Sequence, residues 1–500
     1  MRLHLLGLVL LALALTAPLA AQTPSSTPTI TPTDMRRRIE IIADDSMLGR
    51  DTPSPGLERA AAYVAGEFRR LGLQAGVDGG YEQRWALSRW VPDTAGSEIE
   101  IAARGTRGHP RLGSDARYVG GDLSGRAIAG DAVVLAGPVT RQAAADPRLR
   151  GRVVLLVVDY GRSLQDDLGE RVDQIAAVAR AVLILSNRDS TIFARRLASA
   201  ALPELTPDFR LEGQGAPVLE VHQRALGQVL AAAGVDLAGL RGSEVATTSA
   251  PPLRVSLRLP RRTIERVRVP NLVAVLEGSD PGLRDEYVVI SAHLDGVGVR
   301  PGAQDSINNG ADDNASGVAG LLELAEAFAA PGARPRRSLL FLSSSGEEKG
   351  LWGSAYYVDH PTVPLRDLVA VINMDLIGRN WRDSVIAVGP DFSSLGETLA
   401  RVTAAHPELE MMPLADRWPE ERIFFRSDHY HFARRGVPIL FFTSGTHPDY
   451  HQPTDSADRI DADKAARLVR LLYHLTAEIG NDPARPRWSP ERYREIVRQP

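Results

Sequence analysis

Cysteine is absent from the 500 residues, which excludes disulfide staples, thiolate metal sites and cysteine nucleophiles. Any metal must therefore rest on histidine and carboxylates. Lysine is nearly absent as well: Lys349 and Lys464 are the two, and the other basic residues are arginines spread along the chain. That spread reads as coding bias and forms no basic block. With 58 Lys plus Arg against 62 Asp plus Glu the net charge is −4, which leaves no electrostatic footprint for a polyanion, so no nucleic acid is expected as a partner. No repeat of fixed period occurs, and beyond the first residues no apolar run approaches membrane-span length. What is present, 44% hydrophobic and 24% charged residues, is the make-up of an ordinary globular protein long enough for two to four domains.

Arg2 and His4 precede an apolar run from Leu5 to Leu15, and the small residues Ala17, Ala20 and Ala21 follow. This is the three-part layout of a secretory signal peptide, placed at residues 1–21. The run is about half the ~20 residues a span requires, so no stable membrane span is expected after cleavage. The mature protein is expected to be exported, periplasmic or secreted. Residues 22–33 (QTPSSTPTITPT) read as a solvated Pro/Ser/Thr spacer.

Two helices are expected between Met35 and Leu73, on either side of Leu48-Gly49-Arg50. From about Asp122 to Glu220 short β-branched runs (AVVLAG, RVVLLVVDY, AVLILSN, APVLEV) are separated by Gly, Pro and Asp, which reads as a β-rich module. A helix at Gln223–Ala233 and a polar stretch near Gly242–Pro252 close it. From Leu272 the pattern changes. YVVISAH, SLLFLSS, LVAVINMD and VPILFFTS read as buried strands, with an amphipathic helix at Ala315–Ala329 and a closing helix at Ala462–Ile479. Such alternation argues for an α/β layer with a mostly parallel sheet, in which ligands bind beyond the carboxyl ends of the strands.

Chemistry-bearing residues stand at those ends. YVVISAH closes on His293-Leu294-Asp295, SLLFLSS leads into Glu347-Glu348, LVAVINM runs into Asp375, and the loop after VPILFFTS carries Tyr450-His451. A polar turn with Asp312-Asp313 opens the helix that follows the first strand. Taken one at a time these have bland readings: an aspartate pair before a helix caps it, and a glutamate pair is a solvated face. A loop histidine is ordinarily surface. Four carboxylates and two histidines at equivalent strand ends are a different matter. Gathered without cations they would repel at a cost of several kcal/mol, which a pair of divalent ions relieves. A serine triad is the competing hydrolase arrangement, but Ser343–Ser345 sit in no G-x-S-x-G elbow.

The motifs HLD, GADDNASG, SGEEKGLWGS, NMD and YHQPTDSADRID, in this order, resemble the co-catalytic zinc aminopeptidases, the secreted bacterial leucyl-type enzymes related to aminopeptidase Y and glutamate carboxypeptidase. The likeness covers about Asn271 to Ile479. It implies a three-layer α/β sandwich with a mostly parallel central sheet, split into residues 34–111 and 253–480. By layout, residues 112–252 resemble the protease-associated domain that many members carry as an insertion. Residues 481–500 are a polar tail of unread purpose.

The same resemblance implies two Zn²⁺ per chain, with His293 and Asp375 on one, Glu348 and His451 on the other, Asp313 bridging both and Glu347 as general base. Asp312 is the runner-up bridge. Asp295 is expected to accept the second ring N–H of His293 and fix its tautomer. Two zinc ions would polarise the scissile carbonyl and generate hydroxide from a shared water, with Glu347 shuttling the proton. The implied activity is aminopeptidase action on peptide substrates. Carboxypeptidase or glutaminyl cyclase chemistry on the same fold, and a non-catalytic binding ectodomain, remain the alternatives. One departure stands out: near Ser427-Asp428-His429, where relatives can place a tyrosine that holds the reacting carbonyl, this chain has Phe424 and Phe425. They would line an apolar pocket or belong to the core.

Overall fold

The computed structural model describes residues 29–160, 168–211 and 215–498. The expected signal peptide, residues 1–21, and residues 22–28 of the expected spacer lie outside them. Helical structure begins earlier than the spacer reading allows, at Pro32–Ile42, because Thr31 accepts from the amide of Asp34 at 3.1 Å and Pro32 fills the first turn. Such a cap contributes about 1 kcal/mol. The next helix, Pro55–Arg70, repeats the device with Ser54, and carries Glu58 in its first turn against Arg69 and Arg70 in its last.

The chain is mixed α/β around a large, mostly parallel sheet. Four parallel strands lie side by side in the order Ile439–Thr443, Leu368–Met374, Tyr287–His293, Ser338–Ser344. Antiparallel Ser384–Val388 borders one side, and the last residues of the long strand Arg254–Leu276 border the other. Both faces are covered, which is why these strands read as unbroken apolar runs. Val288, Ile290 and Ala292 pack under the helices Pro32–Ile42, Pro55–Arg70, Gly317–Ala329 and Ala462–Asn481. Val289 faces the opposite way, toward Tyr357 and Phe432.

A second core is built by residues from Trp90 to Leu259, including Ile101, Val134, Leu155, Leu183 and Leu257. Here Ser124–Ala136, Val153–Val157, Ala181–Ser186 and Val218–His222 pair in parallel, with Ala116–Gly120 antiparallel at the edge. The expected strands are present, but so are helices such as Ser190–Ala200, capped by Asp189, so the β-rich expectation is corrected to mixed α and β. The helix expected at Gln223–Ala233 is a single turn followed by Gly227–Ala232. The strand Arg254–Leu276 serves both cores: Arg254–Arg258 pairs with Glu98–Ala102, and Arg261–Leu272 with Glu82–Pro92. The polar tail is not featureless. Its helix Pro490–Arg498 buries Ile496, and the indole of Trp488 donates to the carbonyl of Gly436 at 2.9 Å. Among the described residues no helix is long and apolar enough to cross a membrane.

Candidate metal centre

The carboxyl ends of the four parallel strands converge on one rim, and the ionisable residues read from the sequence meet there. His293 is the last residue of its strand and Asp375 follows Met374 directly. Asp313 comes from the wide turn Ala311–Ser316, whose Asp313 and Asn314 leave helical geometry before the helix Gly317–Ala329 starts. Two groups of three ligand atoms result, each lying within 4.8 Å: His293, Asp313 and Asp375 form one, and Asp313, Glu348 and His451 the other. Asp313 belongs to both.

His293 Nε2 lies 3.2 Å from Asp375 Oδ1, 3.4 Å from Asp313 Oδ1 and 3.9 Å from Glu347 Oε2. His451 Nε2 lies 3.1 Å from both Asp313 Oδ2 and Glu348 Oε2 yet is aligned to hydrogen-bond neither. Glu348 Oε1 is buried with no hydrogen-bond partner. Ring nitrogens and carboxylate oxygens that converge at these distances match the coordination needs of a hard or borderline cation, and a His/carboxylate set free of thiolates suits zinc.

The electrostatics follow from this crowding. Burial alone would push the His293 imidazolium down, but Asp375, Glu347 and Asp313 outweigh it and hold its pKa well above the usual value. Burial likewise opposes the charge on His451, and hydrogen-bond-distance contacts with Asp313 and Glu348 raise it to about 10. Burial would raise Asp313, whereas the two imidazoles hold it below the carboxylate range. Glu347 and Glu348 are raised, first by burial and then by neighbouring carboxylates.

A layer of residues behind the rim aims the site. Ser291 donates to Asn373, Asn373 to Ser427 and Ser427 to Asp375 Oδ2, at 2.7, 2.9 and 3.0 Å. Asp455 accepts from the backbone amides of Asp312 and Asp313 at 3.1 Å. The fully buried Arg50 donates to the carbonyls of Ile42, Leu294, Asn309 and Gly310, tying the amino-terminal segment to two site loops. In the sequence Asn373 lies inside NMD and Ser427 stands beside Asp428-His429, but no site role was read for Ser291, Arg50 or Asp455. Asp455 lies inside the quoted motif YHQPTDSADRID, and that was its one available signal.

One expectation is corrected, and one alternative is set aside. The Asp295 carboxylate does not take the second N–H of His293: it stands 3.8 Å away, and the Asp295 backbone carbonyl lies at 3.2 Å. The strand ends at His293, so the chain turns and aims the side chain at the amide of Glu347, which donates to Oδ1 at 3.1 Å. Burial lifts the Asp295 pKa to about 7. Asp312, the runner-up bridge, points away from both groups. Its Oδ1 accepts from Gly378 N at 2.6 Å and its Oδ2 lies 3.3 Å from His447 Nε2.

A cavity of about 340 Å³ opens on Asp313, Glu347, Glu348 and Asp375, walled by Leu351, Leu376, Trp418, Ile423, Phe425 and Phe441. The two phenylalanines divide: Phe425 lines the cavity, whereas Phe424 is core and packs on Phe392 at 4.9 Å. Tyr450 lines the same cavity and stacks on His451 at 3.8 Å.

The profile of Peptidase family M28 matches residues 271–476. Among curated proteins, the chain is 37% identical over 113 residues to a "Probable zinc metalloprotease" of Pyricularia oryzae, 22% of each chain. It is 27% identical over 208 residues to a "Probable leucine aminopeptidase" of Arthroderma otae, 40% of this chain and 56% of that one. The chain thus spans between about a fifth and just over half the length of these relatives. Among solved structures, an aminopeptidase from Aneurinibacillus sp. strain AM-1 aligns with a TM-score of 0.49 at 18% identity, over 91% of this chain and 95% of that chain.

Proposed function

We propose, from the premise that residues 271–476 match Peptidase family M28, that the chain is a zinc-dependent aminopeptidase that removes residues from the free amino end of peptides. The observation that carries this reading is the pair of three-atom ligand groups sharing Asp313, with Glu347 beside them. His293, Asp313 and Asp375 would hold one Zn²⁺, and Asp313, Glu348 and His451 the other. When bound, the two ions supply Lewis-acid polarisation of the scissile carbonyl and a nucleophilic water at neutral pH.

The chain's own groups do the rest. Glu347, its pKa raised by burial and by Asp375 and Glu348, takes a proton from the attacking water and returns it to the leaving amine, a role worth roughly 10² to 10⁴-fold. Asp295 holds the Glu347 amide, and with it the turn that aims the base. Tyr450 lines the cavity, and its phenol is the proposed donor to the reacting carbonyl. The apolar walls take an apolar side chain. The acidic rim favours a substrate ammonium, and the arginine in the lining, Arg426, is paired with Glu421 at 3.2 Å. That pairing supports an amino-terminal over a carboxyl-terminal mode, which would need an open cation.

Two finer points belong to the same proposal: the export signal in residues 1–21, and a protease-associated-like insertion within residues 112–252. The test uses one short peptide in three forms. N-acetylation should abolish cleavage and C-amidation should not; the reverse pattern would make the enzyme a carboxypeptidase. Glu347→Gln should lower kcat by about 10² to 10⁴-fold with metal content unchanged.

A further inference from the structure

The turn that carries Glu347 and Glu348 leaves the sheet at Ser344 and rejoins regular structure at the helix Trp352–Asp359. Its two ends are tied by one side chain. Asn271, fully buried in the long strand Arg254–Leu276, accepts from the amide of Ser345 at 3.2 Å and donates to the carbonyl of Gly353 at 3.0 Å. Its remaining capacity is also filled: the indole of Trp85 donates to Oδ1 at 3.3 Å, and Gln83 Oε1 accepts from Nδ2 at 3.1 Å. A carboxamide with two acceptor and two donor sites used is fully satisfied, and no other side chain of this size offers that set. Space is as tight as the bonding. A Cβ on Gly353 would fall 2.5 Å from Asn271 Oδ1, and a Cβ on Gly346 would fall 3.2 Å from the Trp85 ring. Trp85 in turn stacks on Tyr356 at 6.0 Å and meets Phe209 edge-on at 6.1 Å.

From this we infer that Asn271 is a positioning residue for the proposed reaction: it fixes the spread of the turn Ser345–Gly353 and thereby the reach of Glu347 and Glu348. The inference rests on the function proposed above. A base needs placement to within about 0.5 Å, and groups behind metal ligands typically carry 10 to 100-fold in affinity or activity. Phe209, by bracing Trp85, extends this support to the short helix Asp208–Leu211.

The discriminating variant is Asn271→Asp, which keeps the shape but sets an acceptor oxygen against Gly353 O and Gln83 Oε1. Expected are a kcat lower by tenfold or more with KM within twofold, and amides of residues 345–353 exchanging faster. A metal should also be released at about tenfold lower chelator concentration. Wild-type kcat, exchange and chelator midpoint in a folded Asn271→Asp would overturn the inference. Should that variant fail to fold, Trp85→Phe removes one of the four hydrogen bonds. A two- to fivefold loss of kcat with faster exchange at 345–353 supports the clamp, and unchanged values overturn it. The exchange and metal-release measurements judge the clamp even if cleavage survives N-acetylation and fails on C-amidation, an outcome that would instead remove the aminopeptidase reading.

Discussion

Two clusters of buried charge are built from similar parts, one between helices and one at the strand ends, yet they are neutralised differently. In the first, Arg38 donates at 2.6 Å to each of Glu67, Glu323 and Glu326, and Arg70 adds 2.9 Å contacts to Glu67 and Glu326. These residues bolt the helices Pro32–Ile42 and Pro55–Arg70 onto Gly317–Ala329. In the second, Asp313, Glu347, Glu348 and Asp375 face two imidazoles, and the nearby Arg50 spends its donors on backbone carbonyls. In the first cluster every carboxylate accepts from Arg38 at 2.6 Å. The second leaves ligand atoms convergent, and that difference, more than the abundance of acid, marks a place for a cation.

The comparison can be broken at its strongest point first. Asp313→Asn should empty both metal positions and lower turnover by roughly 10³-fold or more, since one oxygen of each group is lost. Elemental analysis that still finds two metals would end the bridging role. Arg38→Met should act on folding and leave the site's chemistry alone. Stripping the central cation from three carboxylates should cost about 3 to 5 kcal/mol, measured by urea unfolding, with kcat of the folded fraction unchanged.

Glu323 gives a subtler readout. Burial raises its pKa from 4.5 to about 7 despite Arg38, so between those values the folded chain holds a proton that the unfolded chain has released. Its contribution is present below about pH 4.5 and lost as pH rises through 7, at most about 3 kcal/mol. Glu323→Gln should flatten the stability–pH curve between pH 5 and 8; an unaltered slope would show that Glu323 titrates normally. The smallest effect belongs to metal uptake. His293 and His451 carry raised pKa values in the metal-free chain, so loading at neutral pH should release about two protons. Calorimetry in buffers of different ionisation enthalpy counts them, and zero release would contradict the protonated imidazoles.

What the sequence made legible follows from periodicity. His293, Glu347, Glu348, Asp375 and His451 stand just past apolar strands, so the rule that parallel strands point their carboxyl ends at the site was enough to gather them. Asp313 and Asp312 were not separable on that basis, because adjacent residues share a turn and the choice depends on which side Gly378 N and His447 occupy. Arg50 and Asn271 were invisible for another reason. Most of their partners lie on segments far along the chain, several of them backbone groups, and such contacts leave no spacing to read. The helix Ser190–Ala200 was missed because its DSTIFARRLASA stretch carries one buried apolar residue, Phe193, and so shows no stripe.

The strand Arg254–Leu276 has a mechanical consequence. Its first residues are stitched into the smaller core and its last into the larger sheet beside Leu339–Ser343, like a spar shared by two wings. Freedom at one end is paid at the other, so heating should melt both bodies in one calorimetric peak, and limited digestion should fail to liberate the smaller one intact.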